Sequence, residues 1–376
     1  MRTSDETRKA HASYALYDPG GRVEASGVAD AEAGDEAFTV GSVALDWLDA
    51  DGLRAADYAV TLDRWPSGRL VVSQLGRRFE TFAAAVREAR DRARVSGFLA
   101  HGLDDPLPFT GAVLEPAPAR EARLLLYATH LTVVPKEDDP FQVPYGAVAG
   151  LRPDAARHAV ALETAGGAIV LGQLARDTDA FHSALRTRRD AQAKRLADLT
   201  GETAFADGQG VARSALHRID ELLRAFAAPE RAAGLAALLD PADPPEAVRF
   251  GFVELLDLDE RLAPAARELP EHVASFLLIP VRGRVILEIL AGPSAATYVF
   301  EGDIEEINRD LQALRFRRRP LALSEQEAEL TPSNPYRLAL RKLPALQRLR
   351  AATRARLNHA SGWEAALAKA LDEPVR

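Results

Sequence analysis

Basic side chains crowd the C-terminal part of the chain and are the residues best suited to bind a partner. Arginines surround Phe316, and between Tyr336 and Asn358 seven basic residues occur without an acidic one. That segment carries +7 within a chain whose formal net charge is −8. The candidate binding residues are Arg315, Arg317, Arg318, Arg319, Arg337, Arg341, Lys342, Arg348, Arg350, Arg354 and Arg356.

Two interpretations of these basic residues are open. They could form a docking surface for an acidic partner, an anionic membrane surface or nucleic acid. Alternatively, they could pair with acidic residues of the same chain and cover apolar surface with their aliphatic stems. We favour self-pairing, and we do not expect nucleic acid as a partner, because the net negative field of the protein repels polyanions.

No residue pattern in the sequence indicates catalysis, a cofactor or a metal site. The chain has no cysteine, and its eight histidines form no pair with metal-ligand spacing. The acidic clusters lack the spacing of a calcium-binding loop; they lie at residues 104–105, 137–139 and 257–260. We therefore expect a protein that is not an enzyme and needs no cofactor. A hydrolase site assembled from residues distant in sequence stays an alternative.

The location expected from the sequence is the cytoplasm. The first seven residues are too polar and acidic for a signal peptide. No apolar run approaches the roughly 20 residues that span a bilayer.

An internal repeat fixes the architecture. Residues 58–63 are matched by residues 158–163, and residues 68–91 realign on residues 167–190. Short strand-like runs separated by glycine and proline turns precede both segments, which is typical of an antiparallel sandwich or barrel. Apolar residues then recur every three to four positions, which predicts one amphipathic helix near residues 77–95 and another near 177–196. Identical pairs include Gly68/Gly167, Gln74/Gln173 and Phe82/Phe181.

The order of seven strands and one closing helix resembles bacterial pleckstrin-homology-like (PH-like) or GRAM-like domains. In the second copy the resemblance rests on Phe141-x-Val143-Pro144, on the hairpin over residues 160–170 and on the helix starting near Asp177. The first copy offers Phe38-x-Val40-Gly41, a hairpin over residues 60–71 and a helix from Arg77. The resemblance covers roughly residues 12–196.

The resemblance implies an α+β fold, namely a repeated antiparallel β-sandwich or partly open barrel capped by a C-terminal helix. Bending the sheet buries its apolar face, and the amphipathic helix closes the open corner with Phe82 or Phe181. Lipid-headgroup binding is not carried over, because the loop after the first strand offers only Arg22 in one copy and Arg120 in the other. A fold does not by itself imply function.

The predicted organisation has five parts. They are a PH-like domain at 1–100, a second at 101–200, a helical linker at 201–245, a possible divergent or partial third PH-like domain at 246–320, and a basic helical tail at 321–376 with helices at 336–357 and 361–372. The expected function is an interaction scaffold that holds a protein partner at a sheet edge or in the groove beside a capping helix. The alternative is a binder of anionic membranes or polyanions through the basic tail.

Overall fold

The computed structural model describes most of the chain. The described residues are 5–102, 104–164, 166–200, 204–206, 212–214, 248–254, 273–281, 283–291, 294–324, 327, 336–359 and 361–373. The chain divides into two compact units. The first unit comprises Met1–His101, Val134–Phe141 and Glu329–Lys342, and the second comprises Gly102–Val133, Gln142–Ala328 and Leu343–Arg376.

The first repeat is a seven-stranded antiparallel sheet followed by a helix. Its strands are β1 Lys9–Tyr17, β2 Val23–Ala33, β3 Ala37–Val40, β4 Val43–Asp46, β5 Ala50–Ala56, β6 Ala59–Arg64 and β7 Arg69–Ser73. The strand order is β4-β3-β2-β1-β7-β6-β5, so the first strand pairs with the last. Helix α1, Phe79–Gly97, then places Phe82 against Phe38 and Trp47 in the core.

The second repeat has the same order of elements. Its strands are β8 Leu107–Glu115, β9 Arg120–Leu126, β10 His130–Pro135, β11 Phe141–Pro144, β12 Val148–Asp154, β13 Ala159–Thr164 and β14 Gly167–Gly172, and helix α2 is Thr178–Thr200. The strand order β11-β10-β9-β8-β14-β13-β12 repeats that of the first sheet. Phe181 is fully buried with its ring 5.2 Å from that of Phe109. The repeated antiparallel α+β architecture and both core phenylalanines are thus confirmed.

Backbone details extend the repeat beyond strand order. Gln74 and Gln173 have nearly the same left-handed φ, 60° and 57°. The pairing of β5 with β6 shifts register between Ala50 and Gly52, and that of β12 with β13 shifts between Val148 and Gly150. A shared bulge at the same place in both sheets indicates that the two copies use one folding plan.

One predicted correspondence between the copies is wrong. Phe38-x-Val40 lies in β3, the third strand of its repeat, whereas Phe141-x-Val143 lies in β11, the fourth strand. The counterpart of Phe141-x-Val143 is Val43-x-Leu45 in β4. Two neighbouring strands that each direct alternate side chains into the core produce the same short pattern, so the pattern alone does not fix the strand.

A third sheet also has seven strands, in a different order. Its strands are β15 Ala204–Ala206, β16 Ala212–Ser214, β17 Arg249–Glu254, β18 Val273–Val281, β19 Arg284–Ala291, β20 Ser294–Glu301 and β21 Thr353–Asn358. They follow one another as a simple antiparallel meander from β15 to β21. The pairing of first strand with last that marks the two repeats is therefore absent from the described residues of this sheet. The predicted domain bounds, including a third PH-like domain, stay a prediction.

The linker and the tail differ from their predicted helical form. The described linker residues 204–206 and 212–214 are strands, and the rest of the linker lies outside the described residues. In the tail, the predicted helix over 336–357 ends at Ala352, and residues 353–358 form β21 against β20. Both departures have the same cause, since an open sheet edge offers backbone hydrogen bonds that local sequence does not reveal.

Short helices follow β20 in sequence, and β21 lies between the last two of them. They are α3 Ile304–Ala313, α4 Arg319–Ala322, α5 Arg337–Lys342, α6 Pro344–Ala352 and α7 Trp363–Asp372. Asp303 caps α3 as predicted, because its Oδ1 accepts hydrogen bonds from the backbone amides of Glu305 and Glu306 at 2.8 and 3.2 Å.

The paired glycines of the two repeats should differ in their tolerance of alanine. Gly68 and Gly167 both have left-handed φ, +97° and +113°, but only at Gly68 would a Cβ meet a backbone atom, Tyr17 O at 2.6 Å. We expect Gly167→Ala to cost about 1–2 kcal/mol of stability from backbone strain, and Gly68→Ala roughly 1 kcal/mol more. Denaturant titrations followed by segment-resolved hydrogen exchange would measure both. Equal losses would contradict the role of the Tyr17 contact.

Candidate functional site

Three bases of the C-terminal segment meet three carboxylates of the first repeat. Arg337 Nη2 lies 2.7 Å from Asp46 Oδ2 and 3.2 Å from Asp49 Oδ2. Lys342 Nζ lies 2.8 Å from Asp51 Oδ1. These contacts are close ion pairs without the directionality of ideal hydrogen bonds. Helix α5 therefore meets the acidic segment between β4 and β5 through charge.

Arg341 is the most tightly held base of α5. Its Nη1 donates to Asp49 Oδ1 at 3.1 Å, and its Nη2 donates to the carbonyl of Leu48 at 2.6 Å. Its guanidinium also lies 4.1 Å from the centroid of the Trp65 ring. A planar cation that uses both its donors and its face is recognised by shape as well as by charge.

The other side of α5 is apolar and closely packed. Leu338 and Ala339 are buried. A Cβ added at Gly97, near the end of α1, would lie 2.8 Å from Leu338 Cδ2 and 2.7 Å from Leu48 Cδ2. Glycine at this position thus permits the close approach of α5 to α1. We call this surface the acidic groove; it is lined by Asp46, Leu48, Asp49, Asp51, Trp65 and Gly97.

Buried charges of α1 support the rim of the acidic groove. Arg90 donates to the carbonyls of Ala50 and Asp51 at 3.1 and 2.7 Å, so it fixes the start of β5. Burial, with the neighbouring Arg94 cation, lowers the pKa of Arg90 to about 10, and the side chain stays protonated at neutral pH. Arg94 pairs with Asp139 at 2.5 Å within the same unit.

The three carboxylates of the acidic groove occur in the first repeat and not in the second. The positions of the second repeat that correspond to Asp46, Asp49 and Asp51 carry Pro144, Ala147 and Ala149. Because the second repeat folds to the same strand order without these carboxylates, the fold itself does not require them.

The remaining bases of the segment belong to the second unit and contact other residues of that unit. Arg348 makes two hydrogen bonds to Asp310, at 2.8 and 2.6 Å, and these bonds raise the pKa of Arg348. Arg350 donates to the carbonyls of Pro320 and Leu323 at 2.7 and 2.6 Å. Arg354 pairs with Glu301, and the Arg356 guanidinium lies 5.9 Å from the Tyr298 ring centroid.

Three of the four arginines around Phe316 are buried or contact side chains of the same unit. Arg315 donates to Thr129 Oγ1 at 2.5 Å, and its Nη1 lies 3.2 Å from His130 Nε2. Arg317 and Arg318 are buried, whereas Arg319 is exposed. The structure thus distributes the eleven candidate residues over both units, three in the first and eight in the second, and most of them contact groups of the same chain.

A free strand edge is a second feature of the first repeat. β2 pairs with β1 from Val23 to Glu32, with a bulge at Glu24, but β3 pairs only with Ala31, Glu32 and Ala33. No described strand pairs with the other edge of residues 23–30. This edge contains neither lysine nor proline, two common means of blocking unwanted pairing.

The two faces of this free edge differ in character. Side chains alternate along a strand, so Ala25, Gly27 and Ala29 share a face with the buried Ala31, whereas Val23, which pairs with Tyr17 beyond the bulge at Glu24, lies on the opposite face. The opposite face also carries Ser26, Val28, Asp30 and Glu32, and Val28 is 64% exposed. Across residues 23–33 there are three acidic side chains and no basic one.

A buried polar cluster in the third sheet was not found by sequence reasoning. Glu288 on β19 is fully buried opposite Thr297 on β20. Thr297 Oγ1 donates to Glu288 Oε2 at 2.5 Å, and His359 Nε2 lies 2.7 Å from Glu288 Oε1. Trp363 Nε1 donates to Thr297 Oγ1 at 2.9 Å. His359 and Trp363 lie 71 and 75 positions after Glu288 and form no recognisable motif with it, so only the fold brings these residues together.

The geometry of this cluster does not suit a nucleophile. The Thr297 hydroxyl donates a hydrogen bond to Glu288 and lies within hydrogen-bond distance of both Trp363 Nε1 and His359 Nε2. The same histidine nitrogen faces the hydroxyl and the carboxylate, whereas a catalytic triad uses the two ring nitrogens separately. Thr297 is also fully buried. The cluster therefore acts as a polar bridge from β19 and β20 to α7.

Comparisons with known proteins add no assignment. No protein-family model matches the chain, and a search of curated proteins finds no match. Within the described ranges, no group of three or more His, Cys, Asp or Glu side chains could hold a metal ion. Among the helices that the structure describes, none is long and apolar enough to cross a membrane.

Proposed function

We propose that this chain is a non-enzymatic interaction protein built on tandem PH-like units. In this proposal the first repeat binds a partner protein by adding an extended segment of the partner to the free edge of β2. The observation that carries the proposal is the eight-residue stretch of β2, residues 23–30, which among the described strands has a neighbour on one side only. Such an edge presents unpaired backbone donors and acceptors, which is how many sheets bind peptides.

The side chains of β2 indicate which segment would fit. Asp30 and Glu32 share the outer face, and Glu24 lies at the bulge of β2. Their contacts with His11, Lys9 and Arg64, in that order, are exposed to solvent. Exposed pairs contribute little to stability and exchange readily. A partner strand with basic residues at alternate positions would complement this face, while small residues would suit Ala25, Gly27 and Ala29.

The anionic-surface alternative has less support. The ion pairs and hydrogen bonds described above engage most of the basic side chains within the chain itself. Deleting the basic tail after Ser333 would not test this alternative cleanly, because it would remove β21 and α7 together with the basic residues and so disturb the third sheet. Charge substitutions in the full-length chain are therefore the better means of examining that alternative.

Residue-resolved hydrogen exchange tests the proposed edge. Amides of residues 23–30 should alternate between slow exchange, where they bond to β1, and fast exchange, where they face the free edge. A peptide selected from a displayed random library for binding to the full-length protein should slow the fast set. Val28→Lys should weaken that peptide roughly tenfold or more, because lysine on an edge opposes pairing and repels a basic strand.

Two results would contradict this proposal. The first is a selected peptide that protects other segments and leaves β2 unchanged. The second is equal binding by Val28→Lys and by the control Val28→Thr, which keeps a β-branched side chain without charge.

A further inference from the structure

We propose that the acidic groove of the first repeat is a second interaction site and that α5 is its exchangeable internal ligand. The occupant that the groove fits is a basic amphipathic helix of a partner protein. This proposal concerns a different surface from the edge of β2 and does not depend on it. It rests on the contacts of Arg337, Arg341 and Lys342 with Asp46, Asp49 and Asp51.

The seated helix shows what the groove recognises. Basic residues at the first, fifth and sixth positions of α5 reach the carboxylates, and Leu338 and Ala339 fill the apolar floor. Asp49 contacts both Arg337 and Arg341, and so it reads two of the three charges. Trp65 covers the face of one guanidinium. A competing helix would need the same spacing of bases, a leucine-like residue after the first base and a small residue after that.

The way α5 is held favours exchange. A helix of six residues is too short to be stable alone in water, so its helical form depends on the groove. Its buried apolar contacts come from few side chains, and its ion pairs involve partly exposed groups whose attraction is screened by salt. Because α5 is part of the same chain, its effective concentration at the groove is high. It can therefore occupy the groove even if its intrinsic affinity for the groove is low.

The carboxylates have no counterpart in the second repeat, which folds to the same strand order with Pro144, Ala147 and Ala149. The fold therefore does not require the three acids of the acidic groove, and we assign them to the binding of a basic helix. While α5 occupies the groove, a partner must displace it. The apparent affinity of the partner is therefore its intrinsic affinity multiplied by the fraction of molecules in which the groove is free.

The test compares the full-length chain with a variant whose α5 is released by Arg337→Glu, Arg341→Glu and Lys342→Glu. The probe is a fluorescein-labelled peptide with the native sequence of residues 334–343, and the control peptide carries the same three glutamates. We expect the probe to bind the released chain at least about tenfold more tightly than the wild-type chain. Binding should weaken as salt rises from low to high concentration, and the control peptide should not bind.

Substitutions in the groove identify the site. Adding Asp49→Asn to the released chain should weaken the probe roughly tenfold, because it removes the carboxylate shared by two arginines. Asp57→Asn is the matched control, since Asp57 is an exposed acid in the turn between β5 and β6. Equal loss with both substitutions, or no loss with Asp49→Asn, would overturn the assignment.

Hydrogen exchange shows whether α5 leaves the groove. The amides of residues 337–342 should exchange faster in the released chain than in wild type. The expected increase is about tenfold or more, the same factor as for binding of the probe. Unchanged protection, or equal binding of the probe to both chains, would overturn the proposal. Concentration-dependent dimers that exclude the probe would show that a second copy occupies the groove, and would overturn the assignment to a separate partner.

Discussion

Replacing Glu288 with alanine is expected to destabilise the third sheet by about 3–5 kcal/mol, because it leaves buried polar groups without a partner and creates a cavity. The substitution leaves the Thr297 hydroxyl without its acceptor and removes the carboxylate beside His359. It also opens a cavity in the middle of the sheet, because Glu288 is fully buried between β18 and β20. The region from β18 to β20, with β21 and α7, should lose protection before the two repeats do.

Segment-resolved hydrogen exchange under mild denaturant is the appropriate measurement, because a chain with several sheets need not unfold in one step. Glu288→Gln keeps the side-chain volume and an acceptor, so it should cost less than half as much as Glu288→Ala. Glu24→Ala, an exposed acid of the first repeat, should change stability by no more than about 0.5 kcal/mol. A small effect of Glu288→Ala would show that the cluster does not join α7 to the sheet.

Phe82→Ala and Phe181→Ala should each destabilise their own repeat by about 3–5 kcal/mol, the usual cost of removing a buried aromatic side chain. Both rings are fully buried, and each lies near another aromatic ring, Phe38 at 6.1 Å and Phe109 at 5.2 Å. The loss combines the transfer of the ring to water with a cavity between sheet and helix.

The location of the lost protection makes this prediction specific. Phe82→Ala should expose the amides of β1 to β7 and α1, and Phe181→Ala those of β8 to β14 and α2. Phe79→Ala is the matched control, since Phe79 is only partly buried and lies at the surface 5.5 Å from the exposed Tyr58 ring. A loss for Phe79→Ala as large as that for Phe82→Ala would argue against the helix as the plug of the sheet.

Sequence reasoning identified features that depend on local pattern. The repeat of Gly68 with Gly167 and of Gln74 with Gln173 reflects turns that need particular backbone conformations, and those conformations recur in both copies. The spacing that placed Phe82 and Phe181 on the inner face of a helix depends only on helical geometry. Asp303 was likewise recognisable as a cap from its position before an apolar helical run.

The errors arose where pairing, rather than pattern, decides the structure. The acidic composition of residues 30–36 is typical of a loop, yet Asp30–Ala33 complete β2, because Ala31 pairs with Ala10 of β1, Ala33 pairs with Phe38 of β3, and both alanines are buried in the core. Helical propensity near Arg354 and Arg356 was overridden by the open edge of β20. Propensity is a weak guide where a tertiary contact satisfies the backbone in another way.

The C-terminal charges show the same division. The amino-acid sequence shows that seven bases stand together without an acid, and that the whole chain carries enough acidic residues to pair with them. The fold then selects the partners: Arg337, Arg341 and Lys342 meet three aspartates nearly 300 residues earlier in the chain, while Arg348 and Arg354 meet carboxylates elsewhere. A sequence records the amount of charge along the chain, but the pairing of those charges depends on distances that exist only after the strands have found their partners.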